Sequence, residues 1–234
     1  MMNGIQFSIR GSWAHFKRPE TNNNPLTHDL ITKTALIGLI GAVLGKSREE
    51  MRELFPKYSD GLIYGVAILS SIRKESWSFT MRNSLSNIQD KAPKHIEFLV
   101  NPEYLINIAL VDILLLEDFT EFERSLKNNE AIYTPVLGLH NCPAELKYIS
   151  KGEFSKNKGE FETQGFIPKN YKIDIRKITG MRVGFDKIPT FQNNDFWNLP
   201  EKYIEVIYPS NNQLLHVAND EYYKYSDDSS WVLV

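Results

Sequence analysis

Ile5, Phe7 and Ile9 alternate with Gln6, Ser8 and Arg10, the period-two pattern of a strand with one face buried. Gly11 closes that run. Thr21 to Thr27, reading TNNNPLT, is turn material, with Pro25 constraining the path. An apolar helix follows from about Thr32 to Leu44, with Asp29 and Thr32 as cap candidates and Gly45 where a C-cap glycine belongs. Ser47 opens a second short helix that reaches about Phe55, with Glu49 and Glu50 in its first turn. Leu62 to Ile72 predicts a buried strand, and Ile96 to Val100 and Tyr104 to Leu116 are further core-like runs. Phe119, Phe122 and Leu126 fall at helical spacing within Phe119 to Asn129. Ala131 to Leu139 then predicts a return to strand. Beyond residue 145, Tyr171 to Ile175 and Tyr203 to Tyr208 are the clearest strands.

The order strand, helix, strand, insertion, strand, helix, strand predicts an α+β chain with a ferredoxin-like βαββαβ core. That core occupies residues 1–144, and residues 145–234 form a β-rich extension packed on it. The insertion, Arg73 to His95, is polar and basic, and Trp77 and Phe79 alternate within it. It reads as a projecting hairpin whose two rings share a face.

Composition narrows the chemistry. The apolar fraction of 42% over 234 residues is enough for a sizeable core. Cys142 is the single cysteine, which excludes an intrachain disulfide and a cysteine-clustered zinc site. No two histidines lie four apart, so no metal and no cofactor is expected. The longest apolar run, Ala35 to Leu44, is about half the roughly 20 residues of a membrane helix. No signal segment is read at the start, and a cytoplasmic location without membrane contact is expected. Net charge is -2, but residues 1–100 carry +4 and residues 101–234 carry -6. The N-terminal part is the one suited to an anion.

Candidate chemistry concentrates in the loop after the first strand, where Trp13, His15, Phe16, Lys17 and Arg18 combine stacking rings with cations. Trp13 and Phe16 have a competing reading as core residues under the loop. Gly38 and Gly41 lie inside the apolar helix, where each glycine costs about 1 kcal/mol relative to alanine. The phosphate-loop order of residues is absent. Close approach of the helix to the sheet explains the glycines, while Lys33 and the amides at the helix start offer a place for phosphate. Lys94–His95 is the one pair suited to metal-independent RNA cleavage, with His as acid or base and Lys on the phosphorane. The competing reading is a phosphate contact on the hairpin. Cys142 reads as a buried thiol.

The first strand with its glycine, the aromatic and basic-Pro loop and the TKTALIGLIGAVLG helix, together with Tyr133 to Pro143 (YTPVLGLHNCP), resemble the Cas-five family of CRISPR-associated proteins, most closely its type I-B branch. The resemblance implies an RRM-like core with a β-hairpin thumb at about residues 73–95. It implies a non-catalytic, cytoplasmic subunit that caps Cascade and holds the 5′ handle of the CRISPR RNA. The implied protein partners are the Cas-seven backbone subunit and the large subunit; contact of the thumb with target DNA stays open. The implied RNA surface draws on Trp13 to Arg18, Lys33 and the Gly138 turn, with Arg73, Trp77, Arg82, Lys91 and Lys94 on the thumb. The type I-C branch uses its member as the processing endonuclease, with a Tyr, Lys and His set. Lys94–His95 is the alternative catalytic pair by that likeness, with Tyr58 and Tyr64 as tyrosine candidates by position.

Overall fold

The computed structural model describes residues 1–21, 23–82, 91–177, 180–191, 193, 200–210 and 212–234. In chain order the strands and helices are β1 (Met2–Arg10), β2 (Trp13–Ala14), α1 (Lys33–Leu44), α2 (Arg48–Gly61), β3 (Leu62–Ile68), β4 (Lys74–Arg82), β5 (Lys91–Val100), β6 (Glu103–Leu110), α3 (Leu116–Asn128), β7 (Glu145–Thr163), β8 (Ile167–Pro168), β9 (Val183–Phe191), β10 (Lys202–Pro209), β11 (Leu215–Tyr225) and β12 (Ser230–Trp231). The chain is a mixed α+β protein built on a curled antiparallel sheet of order β12-β11-β7-β1-β6-β3. Two three-stranded sheets, β8-β10-β9 and β2-β5-β4, flank it.

β1 lies in the middle of the main sheet, where Ile5, Phe7 and Ile9 are fully buried toward the helices and Phe7 meets Phe122 edge-on at 5.5 Å. The expectation of one buried face is too modest. Gln6, on the opposite face, is also buried and donates to Asn107 Oδ1 at 3.2 Å. That face is covered by the chain's own end. Trp231 and Leu233 pack there with Ala67, Ala109, Phe154 and Tyr225. Gly65 makes the room, since a Cβ there would lie 2.8 Å from the Val232 carbonyl. The last residue, Val234, exchanges two backbone hydrogen bonds of 3.0 Å with Tyr64, and Phe166 N–H donates to Val66 O. The outer edge of β3 is thereby covered, which removes an exposed strand edge.

α1 begins and ends where its sequence predicts. The Thr32 hydroxyl caps Ala35 N–H, and Gly45 takes the left-handed conformation. The helix glycines serve a different neighbour from the one expected. A Cβ on Gly41 would meet Met51 Sδ of α2, so the close approach is helix to helix, and Gly38 has open space by comparison. Ser47 and Glu50 form a reciprocal capping box. α2 runs past the expected end to Gly61, through Pro56. Proline removes one ladder hydrogen bond, and burial of Phe55 and Tyr58 on either side of it carries the helix on.

Two expected strands are not formed. The 131–139 segment is turns, with a single bridge between Val136 and Pro143. The residue types suit a strand, but the backbone bonds go to local and helical partners: Tyr133 N–H to Ala42 O, and Leu137 N–H to Cys142 O. β7 supplies the strand next to β1 instead. Its first half pairs with β1 and its second half with β11. The 171–175 stretch makes one bridge, Ile173 to Val217, and passes into a short 3-10 turn. β10 matches the expected strand at Tyr203 to Tyr208.

Gly138 has φ +91°, and a Cβ there would sit 1.9 Å from the His15 carbonyl oxygen. Its turn is pressed against the loop after β2, where His15 N–H donates to Leu137 O at 3.0 Å. A Gly138→Ala variant is expected to lose at least about 2 kcal/mol of stability, because left-handed backbone strain and a backbone clash add. Urea unfolding checks this; an unchanged midpoint would refute the packing role.

Candidate nucleic-acid interface

β4 and β5 form the expected hairpin, paired from Lys74–Leu99 to Arg82–Lys91. Its tip at 83–90 and the Arg82 side chain lie outside the described residues. Directly paired residues share a face of an antiparallel ribbon. Trp77, Phe79, Lys94, Ile96 and Phe98 therefore share one face, and Ser78, His95 and Glu97 the other. The aromatic face is a connected cluster. Trp77 packs on Trp13 at 4.5 Å and on Phe79 at 6.4 Å, and Phe98 lies beneath all three. Trp77 remains 42% exposed at the top of the cluster. Lys91 is exposed on β5, and Arg73 is an exposed residue just before β4, paired with Glu75.

The hairpin is stiffened from beside. The asparagine turn lies along the outer edge of β5: Lys94 Nζ donates to Asn23 Oδ1 at 3.1 Å, His95 N–H to Asn24 Oδ1 at 3.3 Å, and Glu97 N–H to Pro25 O at 3.0 Å. Below the turn sits a charged cluster that the sequence reading did not assign. Lys74 Nζ reaches Asp29 Oδ1 at 2.7 Å, Glu97 Oε1 at 3.3 Å and Thr27 O at 3.0 Å. The other Asp29 oxygen accepts from Tyr208 OH at 2.6 Å. Asp186, buried on β9, accepts from His28 Nδ1 at 3.0 Å and pairs with Arg18 at 3.0 Å. Burial pushes the Asp186 carboxyl up, but the hydrogen bond and charge of His28, with Arg18, outweigh burial and hold it below its ordinary value. No sequence motif marks these partners, because they come from distant segments, His28 and Asp186 lying 158 residues apart.

The loop after β2 is therefore less open than its composition implies. Phe16 and His15 are buried, Phe16 in the core and His15 with Nδ1 on the Glu97 carbonyl at 2.7 Å. Neither ring offers a free face to a base. Burial also pushes the His15 imidazole below its ordinary value. Arg18 is held by Asp186 and by the Thr27 carbonyl at 3.2 Å. Lys17 is exposed, and Trp13 is half-buried against Trp77. The stackable ring of this region is Trp77 on the hairpin rather than Phe16 in the loop.

The α1 start is closed as well. The Lys33 amide faces the Tyr64 hydroxyl, and Thr32 takes the Ala35 and Leu36 amides. The Lys33 side chain is 5% exposed, which contradicts an open phosphate contact at the helix start. Burial, opposed by the nearby charge of Asp60 and assisted by Lys202, lowers its ammonium to about 8. Gly138 likewise acts through packing, beneath His15.

Lys94 and His95 do not converge. As neighbours in a strand they face opposite sides, with Lys94 toward Asn23 and His95 Nδ1 2.9 Å from Ser78 Oγ. Tyr58 is committed to Asp118 at 2.6 Å, and Tyr64 is buried at the α1 start. Cys142 is buried, and burial raises its thiol above the ordinary value, which suits an inert side chain. Among the described residues no group of three or more His, Cys, Asp or Glu side chains is arranged to hold a metal. No described helix is long and apolar enough to cross a membrane.

This fold is shared with CRISPR proteins. The chain superposes on a crystal structure of a CRISPR protein from Archaeoglobus fulgidus with a TM-score of 0.61 at 13% identity, over 98% of each chain. A chain of a CRISPR RNA-guided surveillance complex matches with a TM-score of 0.55 at 10% identity, over 88% of this chain and 89% of that one. A chain of the Type III-B Cmr-beta complex bound to cognate target RNA and AMPPnP reaches 0.50 at 10% identity, over 91% and 86%. No curated protein matches the sequence. The sequence model of the CRISPR-associated protein (Cas_Cas5) family matches residues 4–180. The chain belongs to that family.

Lys33 gives a pH test of the site's construction. Its amine is lowered from 10.5 to about 8 in the fold. Below pH 8 the folded state must keep a buried charge, at a cost on the order of 3 kcal/mol that disappears as pH rises through 10.5. Lys33→Met is expected to raise the unfolding midpoint at pH 7, with the gain shrinking between pH 8 and pH 10.5. A midpoint gain that is constant with pH would refute the buried-charge account.

Proposed function

We propose that this chain is a non-catalytic RNA-binding subunit of a type I CRISPR surveillance complex, of the I-B kind, holding the 5′ handle of the CRISPR RNA at one end of the assembly. The observation that carries this reading is the β4–β5 hairpin, where an exposed tryptophan tops an aromatic cluster on the ribbon face of Lys94, with Lys91 exposed on the opposite face toward the tip. Single-stranded RNA is held by base stacking on rings and by cations along the phosphates. Family membership and the likeness to a chain of an RNA-guided surveillance complex support a place in such an assembly. Its neighbours there would be the Cas-seven backbone subunit and the large subunit. The sheet order β7-β1-β6-β3, with α1 and α3 joining the strands, supports a ferredoxin-like core carrying the hairpin as its thumb.

The face of the main sheet away from the helices is narrowed as an RRM-type platform, because Trp231 and Leu233 occupy part of it. The hairpin and exposed Lys17 are the surface assigned to the RNA. Absence of cleavage is supported by the opposed directions of Lys94 and His95, which deny one phosphate both groups.

The test uses the purified chain and repeat-derived RNA in EDTA. A Trp77→Ala/Lys91→Ala variant is expected to bind the 5′ handle at least tenfold more weakly, with the RNA left intact by the wild type. Equal binding by that variant would remove the hairpin from the interface. Metal-independent cleavage that His95→Ala abolishes would overturn the non-catalytic reading.

A further inference from the structure

Between β6 and α3 the chain turns a corner with four large apolar side chains in solvent: Val111 at 54% exposure, Ile113 at 67%, Leu114 at 84% and Leu116 at 39%. Single exposed apolar residues are ordinary, but a contiguous group marks a contact surface. This corner is built rather than slack. Val111 and Asp112 N–H both donate to Gly61 O, at 2.9 and 3.1 Å. The Asp112 carboxylate caps Leu114 N–H at 3.0 Å, and Leu115 N–H closes the turn on Asp112 O at 3.1 Å. Leu115 alone points inward, packed so tightly on Gly61 that a Cβ there would lie 2.5 Å from it. One leucine anchors the turn, and its neighbours are held outward.

The charges around the corner say what can cover it. Residues 111–123 contain Asp112, Glu117, Asp118, Glu121 and Glu123 and no lysine or arginine. Asp118 is paired with Lys46, Glu121 with Arg124, and Glu123 with Lys127 and Lys151. Asp112 and Glu117 remain beside the apolar residues without an ion-pair partner among the described residues. Such a rim repels nucleic acid. A second copy docked about a twofold axis would set the same acidic patch on both sides of the contact.

We infer that the Val111–Glu117 corner is a docking face for a different protein, one presenting an apolar surface with a basic rim. The inference rests on the proposed membership of a multi-subunit assembly, and its surface is separate from the hairpin. The experiment co-expresses the chain with the other protein subunits of its own CRISPR complex. Hydrogen exchange over residues 111–117 is expected to slow at least tenfold on assembly. An Ile113→Ser/Leu114→Ser variant is expected to enter the complex at least tenfold less well, while the isolated variant melts and binds handle RNA as the wild type does. Glu117→Lys is expected to weaken entry as well. Full incorporation of the double variant with no change in exchange would overturn the docking face. A wild-type homodimer by light scattering that the double variant lacks would overturn the choice of partner. Loss of RNA binding by the wild type would count against the proposed function alone, since assembly is read separately.

Discussion

The candidate interface depends on one largely half-buried charge arrangement, in which Lys74 bridges Asp29 and Glu97 while the buried Asp186 gathers His28 and Arg18. Four pieces of chain meet there: the loop between β2 and α1, the base of the hairpin, β9 and β10. Each charge is met by an opposite charge or by hydrogen bonds, the condition under which a buried ion is tolerated. Removing one partner leaves another unpaired, so the pieces hold their positions together. The arrangement converts a loop of more than a dozen residues into a fixed support for the hairpin.

That constraint explains why so many promising loop residues are inward-facing. Phe16, His15 and Arg18 have the chemistry of RNA contacts, yet the loop needs them as its own fastenings. The aromatic surface is moved outward to Trp77, which leans on Trp13 and Phe98. A ring supported on one face by other rings loses little freedom when a base stacks on the other. Preorganisation is therefore a property of the support, and it begins with groups that touch no ligand.

The main sheet shows a parallel division of labour. Its helix-covered face is the core, and the C-terminal segment around Trp231 covers part of its other face, where Arg10 and Glu145 stay exposed at one end. Two exposed features lie apart from this sheet's faces: the hairpin on one of the smaller sheets and the acidic, apolar corner ahead of α3. Their charge character differs, basic and aromatic against acidic and aliphatic, which suits different classes of partner.

Local signals in the chain were sufficient for what depends on local physics. The alternation of Ile5, Phe7 and Ile9, the Thr32 and Gly45 caps and the Ser47 cap are readable, because each rests on neighbours within a few residues. The segment at 131–139 misled for the complementary reason: its β-type residues and a strand need a partner edge, and β7 holds that edge. Which ring of the aromatic group faces solvent was equally beyond sequence, since Trp77 and Phe16 are alike in type. Only the tertiary structure decided that Asp186 meets His28 and Arg18, that Lys33 is enclosed, and that Trp231 covers part of the second face of the sheet. Burial and charge pairing are set by segments far apart in the chain, and no local pattern records who the distant partner will be.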